Sequence, residues 1–143
     1  MNSIGVNQGI VESREGVTLA GGAPFGAALL RRALAHAPEI VAADSGADRL
    51  LRLGAMPRAV YGDFDSISAG AQARLQGRLF LVAEQETTDF DKALRHIRAP
   101  FVLGVGFQGA RLDHGLAVLN TLIRHPDRRA LILSAQEVTF LAP

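Results

Sequence analysis

Hydrophobic and polar positions along the chain alternate between two spacings, and the switches between them mark out the elements. Residues 17–20 form a short apolar run that reads as a strand, followed by Gly21-Gly22-Ala23-Pro24. Across 25–37, Leu29, Leu30, Ala33, Leu34 and Ala37 recur at helical spacing. A second strand is predicted at 40–43, ending in Asp44-Ser45-Gly46-Ala47-Asp48, with Ser45 capping a helix to about Leu53, Gly54 as its stop and Pro57 beyond. Strands follow at 59–61 and 79–83, with a short helix at 69–76 between them. Thr88, with Asp91 three residues on, resembles a capping box and opens a helix that buries Phe90, Ala93, Leu94 and Ile97. A strand at 101–103 runs into a Gly-rich loop, and Arg111-Leu112-Asp113-His114 opens a last helix whose Leu116, Leu119, Asn120 and Ile123 share helical spacing. Two closing strands, 130–134 and 138–141, have only a short link, which predicts an antiparallel hairpin at a sheet edge. Residues 1–16 are polar and read as a lead-in with one short strand. The alternation from residue 17 to 143 predicts one α/β domain, a Rossmann-like three-layer sandwich with a mainly parallel sheet.

Composition narrows the classes of function. A chain of 143 residues fits a single domain. A net charge of +1, scattered arginines and 6% aromatic residues leave no electrostatic footprint or stacking platform for nucleic acid. With no cysteine, disulfides and thiolate metal sites are excluded. The first residues carry no basic or apolar leader pattern, and no stretch approaches the ~18–20 apolar residues of a membrane span. The expectation is a cytoplasmic protein with no membrane partner.

The chemistry centres on Gly62-Asp63-Phe64-Asp65-Ser66-Ile67. If this stretch stays extended, Asp63 and Asp65 project to one side and Phe64 turns to the core. Two carboxylates roughly 6–7 Å apart repel by about 2–3 kcal/mol at an effective dielectric near 20. A divalent cation offsets that repulsion, and an all-oxygen ligand set suits Mg²⁺. The plainer alternative is a turn in which Asp63 caps a helix and Asp65 faces water. Asp44 stands at the carboxyl end of a strand, where open α/β sheets place ligands, and Asp48 reads as a solvated or capping residue. The Gly21-Gly22 turn either presents backbone N–H groups to a phosphate or is simply a tight connection. Asp89 falls in the first turn of its helix, near the positive end of the dipole, and Lys92 reaches either a phosphate or a neighbouring acid. Residues 104–109 match G-x-G-x-x-G, but the end of the next strand offers no acid, so a dinucleotide site is not expected and the loop is assigned to the same nucleotide site. Arg111 and Asp113 sit at the rim of that loop, placed for an anion or its metal. His114 reads as structural, and His36, His96 and His125 carry no pattern.

Three stretches together resemble thiamine pyrophosphokinase: Ala43-Asp44-Ser45-Gly46-Ala47-Asp48-Arg49-Leu50, Gly62-Asp63-Phe64-Asp65-Ser66-Ile67 and Thr88-Asp89-Phe90-Asp91-Lys92-Ala93-Leu94. Gly109-Ala110-Arg111-Leu112-Asp113-His114 follows in compatible order. The resemblance implies a nucleotide-binding catalytic domain over residues 17–143 that transfers pyrophosphate from ATP to the hydroxyethyl group of thiamine, giving thiamine diphosphate and AMP. It implies Asp63, Asp65 and Asp89 as catalytic Mg²⁺ ligands, and Gly21, Gly22, Asp44, Lys92, Arg111 and Asp113 around the nucleotide. Gln85 and Thr88 would lie on the thiamine side. It also implies a following β-sandwich domain that binds thiamine across a homodimer interface, and the chain ends where that domain is expected to begin. Two other readings compete: a pyrophosphotransferase acting on another alcohol, such as a hydroxymethylpterin, and a nucleotide-binding module without catalysis.

Overall fold

The structure, a computed structural model, describes residues 4–7, 9–84, 86–108 and 112–142, with backbone only for 4–7 and 112–114. The strands of the main sheet are β3 (Val17–Ala20), β4 (Glu39–Ala43), β5 (Ala59–Gly62), β6 (Leu79–Leu81), β8 (Val102–Val105), β9 (Ala130–Leu133) and β10 (Val138–Phe140). Their spatial order is β10-β9-β8-β3-β4-β5-β6. Every pairing is parallel except β9 with β10, which form the antiparallel edge hairpin that their short link predicts. The chain winds outward from β3 to β6 and then returns to the other side of β3 as β8. The strand order therefore reverses between β3 and β8, and open α/β sheets bind ligands at such a reversal, beyond the carboxyl ends of the strands.

Period-two alternation along the central strands feeds two cores. Val17, Leu19, Val41, Ala43, Ala59 and Tyr61 face one side, where they meet α4 (Asp89–Leu94) and α5 (Leu112–Arg124). Ala20, Ala42 and Val60 face the other, against α1 (Ala27–His36), α2 (Gly46–Arg52) and α3 (Ala69–Arg74). Helices on both faces of a parallel sheet give the predicted three layers, and β3, β5 and β8 are buried throughout because neither face meets water.

Three local readings change. The stretch read as a lead-in holds a hairpin, β1 (Ile4–Asn7) and β2 (Ile10–Ser13), and β2 pairs in parallel with β7 (Ile97–Arg98) in a separate three-stranded sheet. The helix after Thr88 stops at Leu94, so Ile97 is buried from a strand rather than from that helix. In α5 the buried positions are Val118, Thr121 and Leu122, while Leu116, Leu119 and Ile123 are 55%, 43% and 63% exposed. Both sets have helical spacing; α5 is apolar around much of its circumference, so period alone does not select the inward face.

Tyr61 ties the two sheets together. Its fully buried ring stacks between Phe80 (5.5 Å) and His96 (4.8 Å), and its hydroxyl donates to the Gly9 carbonyl at 2.5 Å. Burial pushes the phenol above its ordinary range, so it stays a donor. Tyr61→Phe keeps the stacking and removes the donor to Gly9, so it should cost about 1–1.5 kcal/mol. Urea denaturation checks the cost, and amide exchange should rise first in β1 and β2; uniform exchange changes would show that Tyr61 does not anchor the hairpin.

Candidate active site

The carboxyl ends of β4 and β5 deliver Asp44 and Asp63 side by side. Asp44 follows β4 directly with φ +45°, a left-handed conformation that aspartate tolerates better than most residues. Its amide donates to the Tyr61 carbonyl at 2.8 Å, locking the turn to the neighbouring strand. Gly62 makes room for the carboxylate. At φ +149° it lies where L side chains rarely go, and a Cβ there would stand 3.1 Å from the Asp44 Cβ and 3.2 Å from Oδ2.

Asp44 is 3% exposed, and its Oδ1 has no hydrogen-bond partner among the described residues. Burial, then the charge of Asp89, then a hydrogen bond and charge repulsion from Asp63, push its pKa from the ordinary 3.8 up to about 7; the Ser66 amide opposes the rise. Asp63, from a strand end, and Asp89, from a helix start, thus both act on Asp44. Asp89 owes its place to Thr88, whose Oγ1 accepts from the Asp91 amide at 3.2 Å and caps α4.

The expected reciprocal half of that capping box does not form, because Asp91 turns inward. It is 1% exposed and meets Arg95 Nε at 3.1 Å, Arg124 Nη1 at 3.2 Å and His125 Nε2 at 3.3 Å. Arg95 also donates to Glu84 Oε1 at 2.7 Å and Thr87 Oγ1 at 3.2 Å. Glu84 accepts from the Thr87 hydroxyl and from the Glu86 and Thr87 amides, and its pKa falls to about 2, with the Thr87 hydroxyl the largest cause. This network pins the segment that leads into α4, and with it the position of Asp89.

The 63–68 loop does not stay extended. Asp65 N–H donates to Asp63 Oδ1 at 3.1 Å, and Phe64 adopts φ +68°. A turn at this point breaks strand alternation, so Asp63 faces Asp44 while Asp65 is exposed on another side of the loop. The predicted trio is therefore divided: Asp63 and Asp89 interact with Asp44, and Asp65 lines an adjoining cleft of about 360 Å³ together with Gly22, Ser45, Asp48, Arg49 and Arg52. Among the described residues, no three acidic or imidazole side chains already form a metal-holding group. The donor chemistry nonetheless fits a hard divalent cation: all ligands are carboxylates, they crowd one another, and the buried Oδ1 of Asp44 has no partner.

The Gly-rich turns meet each other. Gly21 and Ala23 N–H donate to the Val105 and Gly106 carbonyls at 2.7 and 2.8 Å. A Cβ on Gly106 (φ +79°) would stand 2.5 Å from the Gly21 oxygen. Two of the turn's amides are thus committed to backbone, while Gly22 opens onto the cleft. Lys92 is 3% exposed, enclosed in the packing around α4. Gln85 and Arg111 lie outside the described residues, as do the side chains of Asp113 and His114. Arg49 and Arg52 were not singled out in the sequence, although their i, i+3 spacing after the Asp44-Ser45-Gly46 turn puts them on one face of α2.

Residues 30–133 match the family model described as thiamin pyrophosphokinase, catalytic domain. Thiamine pyrophosphokinase 1 of Arabidopsis thaliana is 29% identical over 76% of this chain and 51% of its own length. The thiamin pyrophosphokinase structure from Geobacillus thermodenitrificans superposes with a TM-score of 0.68 at 27% identity, covering 86% of this chain and 61% of that one. The Bacillus subtilis enzyme shares the fold with a TM-score of 0.72 at 23% identity, over 90% and 65% of the two chains. The chain thus spans about half the length of its curated relative. On the match over residues 30–133, this chain belongs to the thiamin pyrophosphokinase catalytic-domain family.

Proposed function

We propose that this chain carries the catalytic centre for transfer of the terminal pyrophosphoryl group of ATP to the hydroxyethyl group of thiamine, giving thiamine diphosphate and AMP. The observation that carries this reading is the meeting of Asp44, Asp63 and Asp89 at the carboxyl edge of the sheet, in a chain of this family. Asp63 and Asp89, with Asp44 beside them and Asp65 from the cleft, are the residues to hold Mg²⁺. That ion supplies charge neutralisation on the phosphate oxygens.

The chain's own groups do the rest. The thiamine hydroxyl oxygen attacks the β-phosphorus of ATP, the bond from that phosphorus to the bridging oxygen of AMP breaks, and the hydroxyl proton passes to a carboxylate, assigned to Asp89. Asp44 and Asp63 share a hydrogen bond that requires a proton between them. Arg111 and Lys92 add positive potential, and Gly21, Gly22 and Asp113 border the nucleotide. Gln85 and Thr88 take the thiamine side.

AMP formation from ATP, measured with thiamine and then with pterin alcohols, tests the reading. Transfer to thiamine alone is expected; transfer only to a pterin alcohol reassigns the acceptor, and ATP binding without AMP release leaves a binding module. Asp63→Asn is expected to cut transfer by about 100-fold or more, about 2.7 kcal/mol of lost transition-state stabilisation, with cation-free thermal stability unchanged or raised. A large fall in that stability would assign Asp63 a structural role.

The cation-free protein should lose stability as pH rises. Asp44 binds its proton more tightly folded than unfolded, so its contribution is complete below pH 3.8 and is lost as pH climbs through about 7. Urea denaturation from pH 4 to pH 8 should show a falling trend that Asp44→Asn flattens; an unchanged slope in the variant would mean the trend arises elsewhere.

A further inference from the structure

The cleft between α2 and the 63–68 loop has a composition that the acidic centre does not explain. Arg49 and Arg52 both line it, and among the described residues no carboxylate lies within ion-pair distance of either guanidinium. Among the described residues, none accepts a hydrogen bond from the buried Arg49 Nε. A buried charged donor left unmade is costly, so its orientation is unexplained by the protein alone. The Arg49 guanidinium is steadied instead by the Phe25 ring, 5.8 Å from its centroid, a contact that fixes direction without using up N–H groups.

The cleft also contains acids, and their arrangement selects among anions. Asp48 has both oxygens engaged by Ser68, from the amide at 3.1 Å and from the hydroxyl at 2.5 Å, so it braces the loop. Asp65 is exposed on the cleft wall, on the loop that carries Asp63 toward the acidic centre. Two arginines facing two carboxylates make a poor seat for a bare anion. They suit a phosphate chain already complexed with a divalent cation, which presents both signs. The volume, about 360 Å³, accommodates a small ligand of this kind. Gly22 closes the other wall; a Cβ there would clash with Ser45 Oγ, so a side chain at this position would displace the Ser45 hydroxyl.

We infer that this cleft is a subsite for the magnesium-complexed phosphate chain of the nucleotide, gripped by Arg49 and Arg52. The inference rests on the pyrophosphokinase reading and adds two residues to it. Guanidinium groups bind phosphate oxygens through paired, parallel N–H donors, a geometry that an ammonium does not reproduce.

Calorimetric titration of the 143-residue chain with ATP and with tripolyphosphate, each in excess Mg²⁺, tests it on wild type, Arg52→Ala and Arg49→Lys. Arg52 is exposed, so its truncation leaves the core intact, and Arg49→Lys keeps the charge; melting curves by circular dichroism verify both folds. Each variant is expected to weaken both ligands at least tenfold with melting unchanged. Wild-type affinity in both variants would overturn the subsite while leaving nucleotide binding in place. Failure of the wild-type chain to bind either ligand would overturn the nucleotide reading and the subsite together.

Discussion

Charge crowding at the edge of the sheet is the constraint on which the site depends. Asp63 and Asp89, from β5 and α4, are held where their charges act on Asp44 at the end of β4, and Asp44 is almost fully buried. Such an arrangement persists only if the surrounding structure fixes it. Parallel pairing of β4 with β5 aligns the two strand ends, with Ala43 opposite Tyr61, and the Asp44 amide bonds back to the Tyr61 carbonyl. Gly62 then leaves space for the Asp44 side chain. The same Tyr61 reaches the hairpin through its hydroxyl, so the framework of the site extends to the first strands of the chain.

The third carboxylate is fixed by a different means. Asp89 begins a helix of only six residues, too short to be stable by itself. Thr88 caps it, and the buried Asp91, two positions on, anchors it to Arg95, Arg124 and His125. Neighbouring aspartates with similar local sequence thus do different work: the charge of Asp89 acts on Asp44 in the centre, and Asp91 is held by Arg95, Arg124 and His125. Removing one partner of a buried pair leaves an uncompensated charge, which makes the Asp91 cluster a fixed support for the start of α4.

At the reversal between β3 and β8, two Gly-rich turns press together so closely that side chains are excluded on both sides. This contact accounts for Gly106 of the G-x-G-x-x-G motif without a dinucleotide. Gly106 permits backbone approach to Gly21, and the amides of Gly21 and Ala23 are spent on β8 rather than on a phosphate. The cleft beside Gly22 is lined instead by side chains, two arginines among them.

The chain's strands and helices were legible because burial on both faces of a parallel sheet leaves unbroken apolar runs, as at 17–20 and 59–62, separated by helical periods. The acidic stretches were legible for a similar reason: Asp44, Asp63 and Asp89 each directly follow a strand or open a helix, and in this topology those positions share one edge. Local pattern did not determine what depends on partners distant in sequence. The inward face of α5 is set by the sheet beneath it, since two stripes of that helix are equally apolar. Asp65 left the predicted trio because an Asx turn and a left-handed Phe64 reverse the side-chain alternation assumed for a strand. Arg49 and Arg52 come to line one cleft only when α2 is set against the 63–68 loop. Sequence determined which residues carry charge and on which kind of element; tertiary packing decided which charges meet, because burial and distance, not residue type, set the strength of their interaction.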